Sequence, residues 1–578
     1  MLVRDVQEVL TPLGLLAPDL EMLRADEKRY QCLLLQPSGP IYAGTHRIGS
    51  LDETASSPKA SRFLELAAKN GAHLAVTPEY FLPWTALQNA ILTGAIPGSS
   101  ALWVLGCASI QSDQLEAFKS TVTENCIVVF ESLAALAADR ALLDPVVLLF
   151  KALQANGTEK LVALVQFKTF PSRDNTFLEE GLLKRGTIIY RFKGKAGPLS
   201  VATIVCSDAF AVDGQISGLI NQSTLLHIQL NPKPRNSVYR QYRKTAFETD
   251  ARASECHIVC LNWARSVVQH NEDGHTETWP NVAGSSWYCP DASAAGEDAI
   301  VGPNHMHGLY YTYMHEKRHA LLFHYDEAVF ELQVPKVLST GAAIMANRTG
   351  PSAKQRHLWD SAAAVWYPAP TPADPGFEAL LLANSEAKAA LAHAAGSATA
   401  LDIERLLALS AGAIAGIDKW FAAREVDSCQ IAADEVVCRV TVPQDDTDHA
   451  VAFRQRRLVA LVNVRHFLDT IGAWPPQVMG IDKDALIEWK LSTANFNVRR
   501  ADGRPALVAY LGESPDARML ENVTANLINL LRRAGGVNQK SLCILYRHLD
   551  TMAFAPLPGL TQFDDALNDE TDILSVHT

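Results

Sequence analysis

The sequence predicts an α/β fold for residues 1–335, with a sheet covered on its faces, followed by a separate α+β domain rich in helix at 377–578. Three observations lead to this prediction. Short apolar runs typical of buried strands recur through the first half, a segment with helical spacing separates the first two runs, and a proline-rich stretch precedes a change in composition. The length of 578 residues also exceeds that of one ordinary domain.

The predicted strands of the first half are rich in Val, Ile and Leu and are mostly too short for buried helices. They are residues 30–36, 73–79, 103–110, 126–130, 161–167, 199–208, 225–230 and 257–263. Between the first two, residues 57–72 place Phe63, Leu64 and Ala67 on one helical face, and Gly71 is a common stop signal. Strand–helix–strand alternation with apolar strands indicates a sheet between helical layers.

Residues 336–376 are predicted to be a linker, because four prolines fall between positions 368 and 376. Beyond it the chain becomes rich in Ala and Leu. The elements predicted there are helices within 377–425, at 449–473 and at 516–534, strands at 486–492, 494–500, 505–511 and 541–546, and a hairpin turn at 501–504. This mixture predicts an accessory α+β domain whose role the sequence does not indicate.

Charge and composition exclude several classes of protein. A net charge of −12 does not favour nucleic acid or anionic lipid as a partner. No apolar run reaches the roughly 18 residues that suggest a membrane span. Charges at Arg4, Asp5 and Glu8 do not fit a signal peptide, and the ten cysteines are scattered singly, as in a reducing compartment. We therefore expect a cytoplasmic protein.

Three chemically different side chains stand at or near the ends of predicted strands: Glu79, Lys168 and Cys206. Catalytic groups gather at the carboxyl ends of strands in α/β sheets. A thiol, a carboxylate and an amine suffice to cleave an amide or a nitrile through a covalent intermediate. The thiolate attacks the electrophilic carbon, the carboxylate takes the thiol proton, and the ammonium stabilises the negative charge that develops on the substrate.

Six segments, in order along the chain, extend this pattern. They are Thr77–Phe81, Phe167–Pro171, Ile204–Phe210, Asn231-Pro232, Ala251–Glu255 leading into His257–Asn262, and Ala283–Ser286. The first three resemble the glutamate, lysine and cysteine motifs of the nitrilase superfamily of carbon–nitrogen hydrolases, and the others resemble its further motifs. The resemblance covers residues from about 30 to 335, slightly over half of the chain.

The resemblance implies an αββα sandwich of the nitrilase type that forms a homodimer or a higher homo-oligomer through one helical layer. It implies Cys206 as the nucleophile, Glu79 as the general base and Lys168 as the transition-state cation. Many relatives carry a second glutamate between the lysine and the cysteine, and either Glu179 or Glu180 is the candidate here.

Weaker candidates surround these residues. The backbone N–H of Ser207 could serve an oxyanion. Asn231 and Asn262 are candidates for the pocket edge, while Trp84 could line the pocket or simply pack beneath it. The basic stretch at 235–244 is either a solvated helix face or a clamp for a substrate carboxylate.

No cofactor and no metal are expected. The sequence has no recognisable Gly-rich phosphate loop, and the Cys-x3-Cys spacing of Cys256 and Cys260 is poor for zinc. We therefore expect the chemistry to rely on side chains of the protein alone.

The leading hypothesis for function is hydrolysis of a non-peptide C–N bond in a small amide, an N-carbamoyl compound or a nitrile, with amidase-like chemistry favoured. One alternative is a glutaminase that supplies ammonia to a fused synthetase, but the second half shows no nucleotide signature. The other is a nitrilase-like sensor or scaffold in a multi-domain bacterial protein, of the kind found in defence systems, with 377–578 as its binding module.

Overall fold

The computed structural model describes most of the chain. The described residues are 1–26, 28–137, 139–195, 199–210, 223–232, 256–279, 284–289, 297–314, 318–336, 338–340, 343–345, 350–370, 381–392, 400–412, 440–441, 448–470, 486–488, 496–501, 503–533 and 541–557. They form two compact units, one within Met1–Thr371 and one in the residues that follow.

Short helices and many strands make up the first unit. The helices are α1 Val6–Leu10, α2 Glu53–Lys69, α3 Trp84–Thr93, α4 Ser112–Thr121, α5 Glu179–Leu182 and α6 Glu297–His305. The strands are β1 Leu2–Asp5, β2 Leu15–Leu16, β3 Arg29–Gln36, β4 Ile41–Ala43, β5 Ile48–Ser50, β6 Leu74–Leu82, β7 Leu102–Cys107, β8 Ile127–Phe130, β9 Pro145–Gln154, β10 Glu159–Phe167, β11 Ile188–Lys193, β12 Ser200–Val205, β13 Ser223–Ile228, β14 His257–Leu261, β15 Val268–Asn271, β16 Thr276–Thr278, β17 Ser286–Cys289, β18 Leu309–Met314, β19 Arg318–Phe323, β20 Ala328–Pro335, β21 Leu338–Thr340, β22 Ala343–Met345, β23 Ser352–Asp360 and β24 Val365–Pro368.

Two large sheets organise this unit. One has the order β24-β23-β20-β3-β6-β7-β9-β10-β8, with β2 attached to β9, and the other has the order β1-β11-β12-β13-β14-β17-β19-β18. The central pairs β3–β6, β6–β7, β12–β13 and β13–β14 are parallel. The carboxyl ends of β6, β12 and β13 are therefore the places where polar loops can meet.

The two sheets face each other. Phe150 of β9 packs edge-on against Phe192 of β11, with ring centroids 5.1 Å apart. The Gln166 amide of β10 donates to the Thr203 carbonyl of β12 at 2.9 Å, and its oxygen accepts from the Tyr190 N–H of β11 at 2.9 Å. A buried amide that pairs both of its ends with the facing sheet fixes the relative position of the two layers.

Helices cover the other face of the first sheet. Phe63, Leu64 and Ala67 of α2 are buried in one apolar cluster with Leu33 and Leu35 of β3, as the helical spacing predicted. Asp52 caps α2 by accepting from the backbone N–H groups of Thr54 and Ala55, so the helix begins four residues before the predicted range. A mixed α/β fold with several sheets is thus confirmed. The helical layer over the second sheet stays a prediction, because residues 211–222 and 233–255 lie outside the described part.

The predicted boundary at 335 and the predicted linker at 336–376 are wrong over 352–368. Strand β23 pairs antiparallel with β20, and β24 pairs with β23, so both extend the ten-stranded sheet. Trp366 of β24 donates from its indole nitrogen to the Lys59 carbonyl of α2 at 3.0 Å. Pro368 is the last residue of this edge strand and Pro370 lies just beyond it, and prolines are tolerated at such an edge, where a missing N–H can face solvent.

The second unit contains helices on both faces of one sheet. Its described elements are α7 Ser385–Ala392, α8 Ala400–Ser410, α9 Asp448–Thr470, α10 Ala517–Arg533, β25 Leu486–Ile487, β26 Val498–Arg499, β27 Pro505–Glu513, β28 Leu542–His548 and β29 Thr551–Phe554. Val508 of β27 joins the cluster with α8 and α9, whereas its neighbour Leu507 joins the cluster with Leu527 of α10. This alternation is the period-two pattern of a strand buried on both faces.

The predicted hairpin turn near 501–504 is confirmed, because Arg500 N–H donates to the Arg504 carbonyl at 2.8 Å between the antiparallel strands β26 and β27. The prediction that helix dominates this unit stays a prediction, since much of 377–578 lies outside the described residues. Among the helices that the structure describes, none is both long enough and apolar enough to cross a membrane.

Candidate active site

The three residues singled out in the sequence lie in or directly after strands of the two facing sheets. Glu79 lies in β6, Lys168 is the first residue after β10, and Cys206 is the first residue after β12. Glu79, Lys168 and Cys206 are 1%, 0% and 5% exposed, respectively. Charged side chains buried to this extent need partners, because an unpaired charge in the interior is costly.

A bulge in β6 sets the direction of Glu79. The pairing of β6 with β7 shifts register between Thr77 and Leu82, and Tyr80 adopts a positive φ of 59°. Gly106 of β7 lies against this bulge so closely that an added Cβ would be 2.1 Å from the Pro78 carbonyl oxygen. Bulges beside functional sites re-aim side chains, and here the bulge is possible because position 106 has no Cβ.

The Lys168 ammonium is the centre of an acidic cluster. Its Nζ lies 2.7 Å from Glu79 Oε1, 2.8 Å from Glu179 Oε2 and 3.6 Å from Asp144 Oδ2. Three carboxyl groups from β6, α5 and the residue before β9 thus converge on one ammonium. Of the two candidates for a second glutamate, Glu179 lies in this cluster, whereas Glu180 has an exposed side chain and does not.

Further donors hold the two glutamates. Glu179 accepts from the Tyr80 hydroxyl at 3.0 Å and from the Ser172 N–H at 2.6 Å. Glu79 Oε2 accepts from the Leu230 N–H after β13. Each glutamate oxygen therefore has at least one donor, as expected of buried charged groups.

Burial and mutual charge shift the ionisation of this cluster. Burial raises the pKa of Glu79; the Lys168 ammonium opposes this and Glu179 adds to it. Burial and the charge of Glu79 raise the pKa of Asp144 well above its usual range. Burial alone would lower the pKa of Lys168, but the negative charges of Glu179 and Glu79, the largest of those nearby, hold it well above its usual value. Lys168 therefore stays an ammonium.

Carboxyl oxygens of Glu79, Asp144 and Glu179 lie within 4.8 Å of one another, a spacing that could also suit a metal ion. The Lys168 ammonium already contacts all three of these groups. A divalent cation there would meet a fixed positive charge, which favours reading the cluster as an ion-pair centre rather than a metal centre.

The Cys206 turn is joined to the lysine loop. Cys206 has a φ of 40°, in the left-handed region that residues other than glycine rarely adopt. Two residues on, the Asp208 carboxylate accepts from the N–H of Thr169, from the N–H of Phe170 and from the N–H of Val205, at 2.7, 2.8 and 3.0 Å. Asp208 thereby fixes the segment just after Lys168 against the segment that carries Cys206.

Ser207 adds a second link, because its hydroxyl donates to the Phe170 carbonyl at 2.6 Å. On the other side of the turn, the ring nitrogen Nε2 of buried His227 lies 2.9 Å from the Cys206 carbonyl oxygen. A carbonyl can only accept, so Nε2 carries the hydrogen and the remaining ring nitrogen accepts from the Gln229 amide at 3.0 Å. The strained turn is therefore held from both sides.

Asn231 and Asn262 brace the loop beyond β13. The Asn231 N–H donates to Asn262 Oδ1 at 3.0 Å, and the Asn262 amide donates to the Asn231 carbonyl at 2.8 Å. This reciprocal pair holds the backbone next to Leu230, whose N–H reaches Glu79.

Trp84 lies at the start of α3. Its indole donates to the Ala108 carbonyl at 2.9 Å, and its ring packs edge-on against Phe118 of α4 at 4.8 Å. Of the two uses considered for Trp84, these contacts match packing. The basic stretch at 235–244, Ala251–Glu255 and Ala283 lie outside the described residues.

Sequence reasoning missed Asp144, the hydroxyl of Tyr80 and the bracing role of Asp208. The sequence does contain a sign of Asp144, because this acid stands directly before the apolar run that forms β9. Strand β9 is itself absent from the predicted elements. An acidic residue rarely begins a fully buried strand without a partner.

No protein-family model matches the sequence, and neither does any curated protein. Solved structures give partial matches of low identity. One is a glutamine-dependent NAD+ synthetase from Acinetobacter baumannii, with 13% identity, 54% of this chain and 48% of that chain covered, and a TM-score of 0.31. Another is an amidase from Nesterenkonia sp., with 11% identity, coverages of 45% and 83%, and a TM-score of 0.27.

A third is the NitFhit protein of C. elegans, with 12% identity, 42% of this chain and 52% of that chain covered, and a TM-score of 0.22. The chain thus spans about half the length of the synthetase that it matches. With TM-scores this low, we base the function on the residues of this chain alone.

Proposed function

We propose that the first unit is a thiol-dependent hydrolase of a non-peptide C–N bond, with Cys206 as nucleophile, Glu79 as general base and Lys168 as the cation that stabilises the transition state. One observation carries this proposal. The Lys168 ammonium lies 2.7 Å from the buried carboxylate of Glu79, whose pKa is raised by burial, and Asp208 ties the segment just after Lys168 to the Cys206 turn. A buried carboxylate paired with an ammonium, on a loop fixed to the turn that carries a buried thiol, has a stronger explanation in catalysis than in stability.

In the first half of the reaction, Glu79 takes the proton from the Cys206 thiol and the thiolate attacks the substrate carbonyl carbon. A C–S bond forms while the carbonyl π electrons move to oxygen. Collapse of this tetrahedral intermediate breaks the C–N bond, and the proton held by Glu79 passes to the leaving nitrogen. Ammonia or an amine leaves, and an acyl thioester remains on Cys206.

In the second half, Glu79 takes a proton from water, and the resulting hydroxide attacks the thioester carbon. The C–S bond breaks, the thiolate recovers the proton from Glu79, and a carboxylic acid leaves. The raised pKa of Glu79 suits a group that must both accept and return a proton near neutral pH.

Lys168 contributes charge rather than proton transfer. An ammonium has three N–H donors, and one each directed at Glu79 and Glu179 leaves one for the oxygen of the tetrahedral intermediate. The Ser207 N–H would be a second donor to that oxygen. Loss of one such donor typically costs about 100- to 1000-fold in rate.

The substrate class that fits is a small amide, an N-carbamoyl compound or a nitrile, with the amide favoured. The reaction uses only groups of the chain itself, and we propose that the protein works as a homodimer or a higher homo-oligomer in the cytoplasm. The alternative sensor or scaffold function would use the same fold without turnover.

The test is intact-mass spectrometry combined with an ammonia assay. Wild type, Glu79→Gln and Cys206→Ala are incubated with a panel of aliphatic amides, N-carbamoyl amino acids and nitriles, and separately with p-nitrophenyl acetate. The ester acylates a thiol without needing a protonated leaving group, so Glu79→Gln should accumulate an acetyl adduct that it hydrolyses slowly.

We expect ammonia release from wild type with at least one of the nitrogen compounds, an adduct on Cys206 in Glu79→Gln, and neither in Cys206→Ala. Glu180→Gln is the matched control, because it removes an exposed carboxylate beside Glu179 and should behave as wild type. A chain that forms no adduct with any compound would support the scaffold alternative instead.

A further inference from the structure

Asp144 takes no part in the proposed mechanism, and of the three acids in the cluster it has the fewest hydrogen-bond donors. It precedes β9, is 1% exposed, and lies 3.6 Å from the Lys168 ammonium, beyond ordinary hydrogen-bond distance. Neither of its carboxyl oxygens accepts a hydrogen bond from any group in the described part of the chain. A buried carboxylate in this situation would be unusually poorly solvated.

The other two acids, Glu79 and Glu179, each accept several hydrogen bonds. Glu79 accepts from the ammonium at 2.7 Å and from the Leu230 N–H. Glu179 accepts from the ammonium at 2.9 Å, from the Tyr80 hydroxyl and from the Ser172 N–H. The donors of this site are therefore distributed to stabilise two carboxylates and not three.

The charges lead to the same division. Three ionised carboxyl groups around one ammonium would leave two uncompensated negative charges in a fully buried cluster. One retained proton halves that excess, and it belongs on the group with the fewest donors, because hydrogen bonds to the charged form are what keep a carboxyl ionised.

We propose that Asp144 is a positioning residue that retains its proton in the working site and points its O–H at Glu79. The proposal rests on the proposed function, because its consequence is for Glu79 as a base. A neutral donor stabilises the ionised form of Glu79, whereas a second carboxylate at the same place would repel that form.

The surroundings of Asp144 support this assignment. Burial, and then the charge of Glu79, raise the pKa of Asp144 well above its usual range. The groups that interact electrostatically with Asp144 from the neighbouring elements are Glu79 and Tyr80 of β6, Cys107 of β7, Lys168 after β10 and Glu179 of α5. Lys168 is the one cation in that set, and its hydrogen-bonding contacts are with the two glutamates.

The experiment measures how the reactivity of Cys206 depends on pH in the full-length protein. Iodoacetamide is the probe, and mass spectrometry of the peptide that contains Cys206 gives the alkylation rate, so that no substrate is needed. The rate should rise with pH as Glu79 ionises. Asp144→Ala and Asp144→Asn are compared with wild type, and Glu180→Gln is the control for loss of a nearby carboxyl.

If Asp144 is a neutral donor, Asp144→Asn replaces one neutral donor by another and leaves the midpoint of this rise where wild type has it. Asp144→Ala removes the donor and moves the midpoint up by about one pH unit, equivalent to an alkylation rate about tenfold lower below the midpoint. If Asp144 is instead ionised, both variants remove a repelling charge and both midpoints move down, which would overturn the proposal.

Infrared spectroscopy gives a second readout that needs neither catalysis nor a stable alanine variant. The C=O stretch of a protonated carboxyl is separate from that of a carboxylate, so wild type at neutral pH should show one such band that Asp144→Asn lacks. Identical spectra would contradict the assignment. A Cys206 no more reactive than the other cysteines would count against the proposed function, while the infrared comparison would still decide the protonation of Asp144.

Discussion

At the scale of single residues, the candidate site combines buried charge with backbone strain. Three of the non-glycine residues with positive φ lie at or next to its members: Tyr80 follows Glu79, Leu178 precedes Glu179, and Cys206 is itself one. Each such conformation costs of order 1–3 kcal/mol and persists only where the surrounding contacts demand it. We read these three positions as the places where the backbone is bent so that side chains can meet.

Replacing the central cation should change both function and stability. Lys168→Met leaves Glu79 buried without its counter-charge, so the pKa of Glu79 should rise further and the folded state should bind more protons than the unfolded state. Stability should therefore be least affected at low pH and fall as pH rises. We expect a loss of about 3–5 kcal/mol near neutral pH, because one partner of a buried pair is removed.

Urea denaturation followed by circular dichroism at about pH 5 and about pH 8 would measure this difference. Lys160→Met is the matched control, because Lys160 lies on β10, the strand that leads to Lys168, but has an exposed side chain. Equal stability of Lys168→Met at both pH values would show that the carboxyl groups do not depend on the ammonium.

The ionisation of Glu79 predicts the acid side of the activity profile. The pKa of Glu79 is raised above the ordinary 4.5, chiefly by burial, and the base must be ionised to take the thiol proton. Activity on whichever amide proves to be a substrate should therefore fall with acid through a midpoint above 4.5. A pH–rate profile of kcat/KM, which reports the free enzyme, would measure it. A midpoint at or below 4.5 would mean that burial does not raise the pKa of Glu79.

At the scale of elements, the site depends on two joints rather than on any one strand. The bulge of β6 against Gly106 aims Glu79, and Asp208 ties the turn after β12 to the segment after β10. Both joints connect neighbouring chain segments through backbone groups, which leaves little freedom in their relative position. Errors of about 1 Å in such an arrangement can cost roughly 100-fold in rate.

A methyl group at position 106 should disturb the first joint. In Gly106→Ala the new Cβ would meet the Pro78 carbonyl oxygen at 2.1 Å and the Glu79 nitrogen at 2.8 Å, so the bulge must shift. We expect a stability loss of about 1–3 kcal/mol and a fall in kcat of about 100-fold. Thermal unfolding and steady-state kinetics would measure the two effects. Gly98→Ala is the control, since its added methyl group meets nothing within 4 Å, and equal behaviour of the two variants would contradict this account.

At the scale of the whole molecule, the ten-stranded sheet of the first unit ends in two strands, β23 and β24, that lie beyond the predicted boundary at residue 335. Glu331 of β20 accepts from Gln31 of β3 at 2.9 Å, from Lys354 at 2.8 Å and from Asn70 at 3.1 Å, and it lies 3.0 Å from His357 Nε2. One buried glutamate therefore joins three strands and the end of α2. Strands β23 and β24 are therefore an integral part of the sheet of this unit.

Two truncations would test that boundary. A chain ending at 371 keeps β23 and β24, whereas a chain ending at 335 exposes the β20 edge and leaves Glu331 without Lys354 and His357. We expect the longer piece to unfold cooperatively on heating and the shorter one to aggregate or to melt at a much lower temperature, because an open apolar edge promotes association. Similar melting temperatures of the two pieces would show that the folded unit ends at residue 335, as the sequence predicts.

Much of the fold could be predicted from local pattern, and the failures have physical reasons. The eight predicted strands and the helix at 57–72 correspond to observed elements, because burial imposes a composition and a period that can be read locally. Strand β9 was overlooked although its run is apolar. The prediction of a linker over 352–368 is wrong because prolines at the end of an edge strand and prolines in a linker give the same local pattern.

The sequence alone determined which residue types stand at the ends of buried strands, and so it identified Glu79, Lys168 and Cys206. Only the tertiary structure decided that Glu179 rather than Glu180 lies beside Lys168, and only it brought Asp144 into the cluster. The reason is that a strand pattern depends on neighbours a few positions away, whereas the partner of a buried charge depends on which distant segments the folded chain packs together.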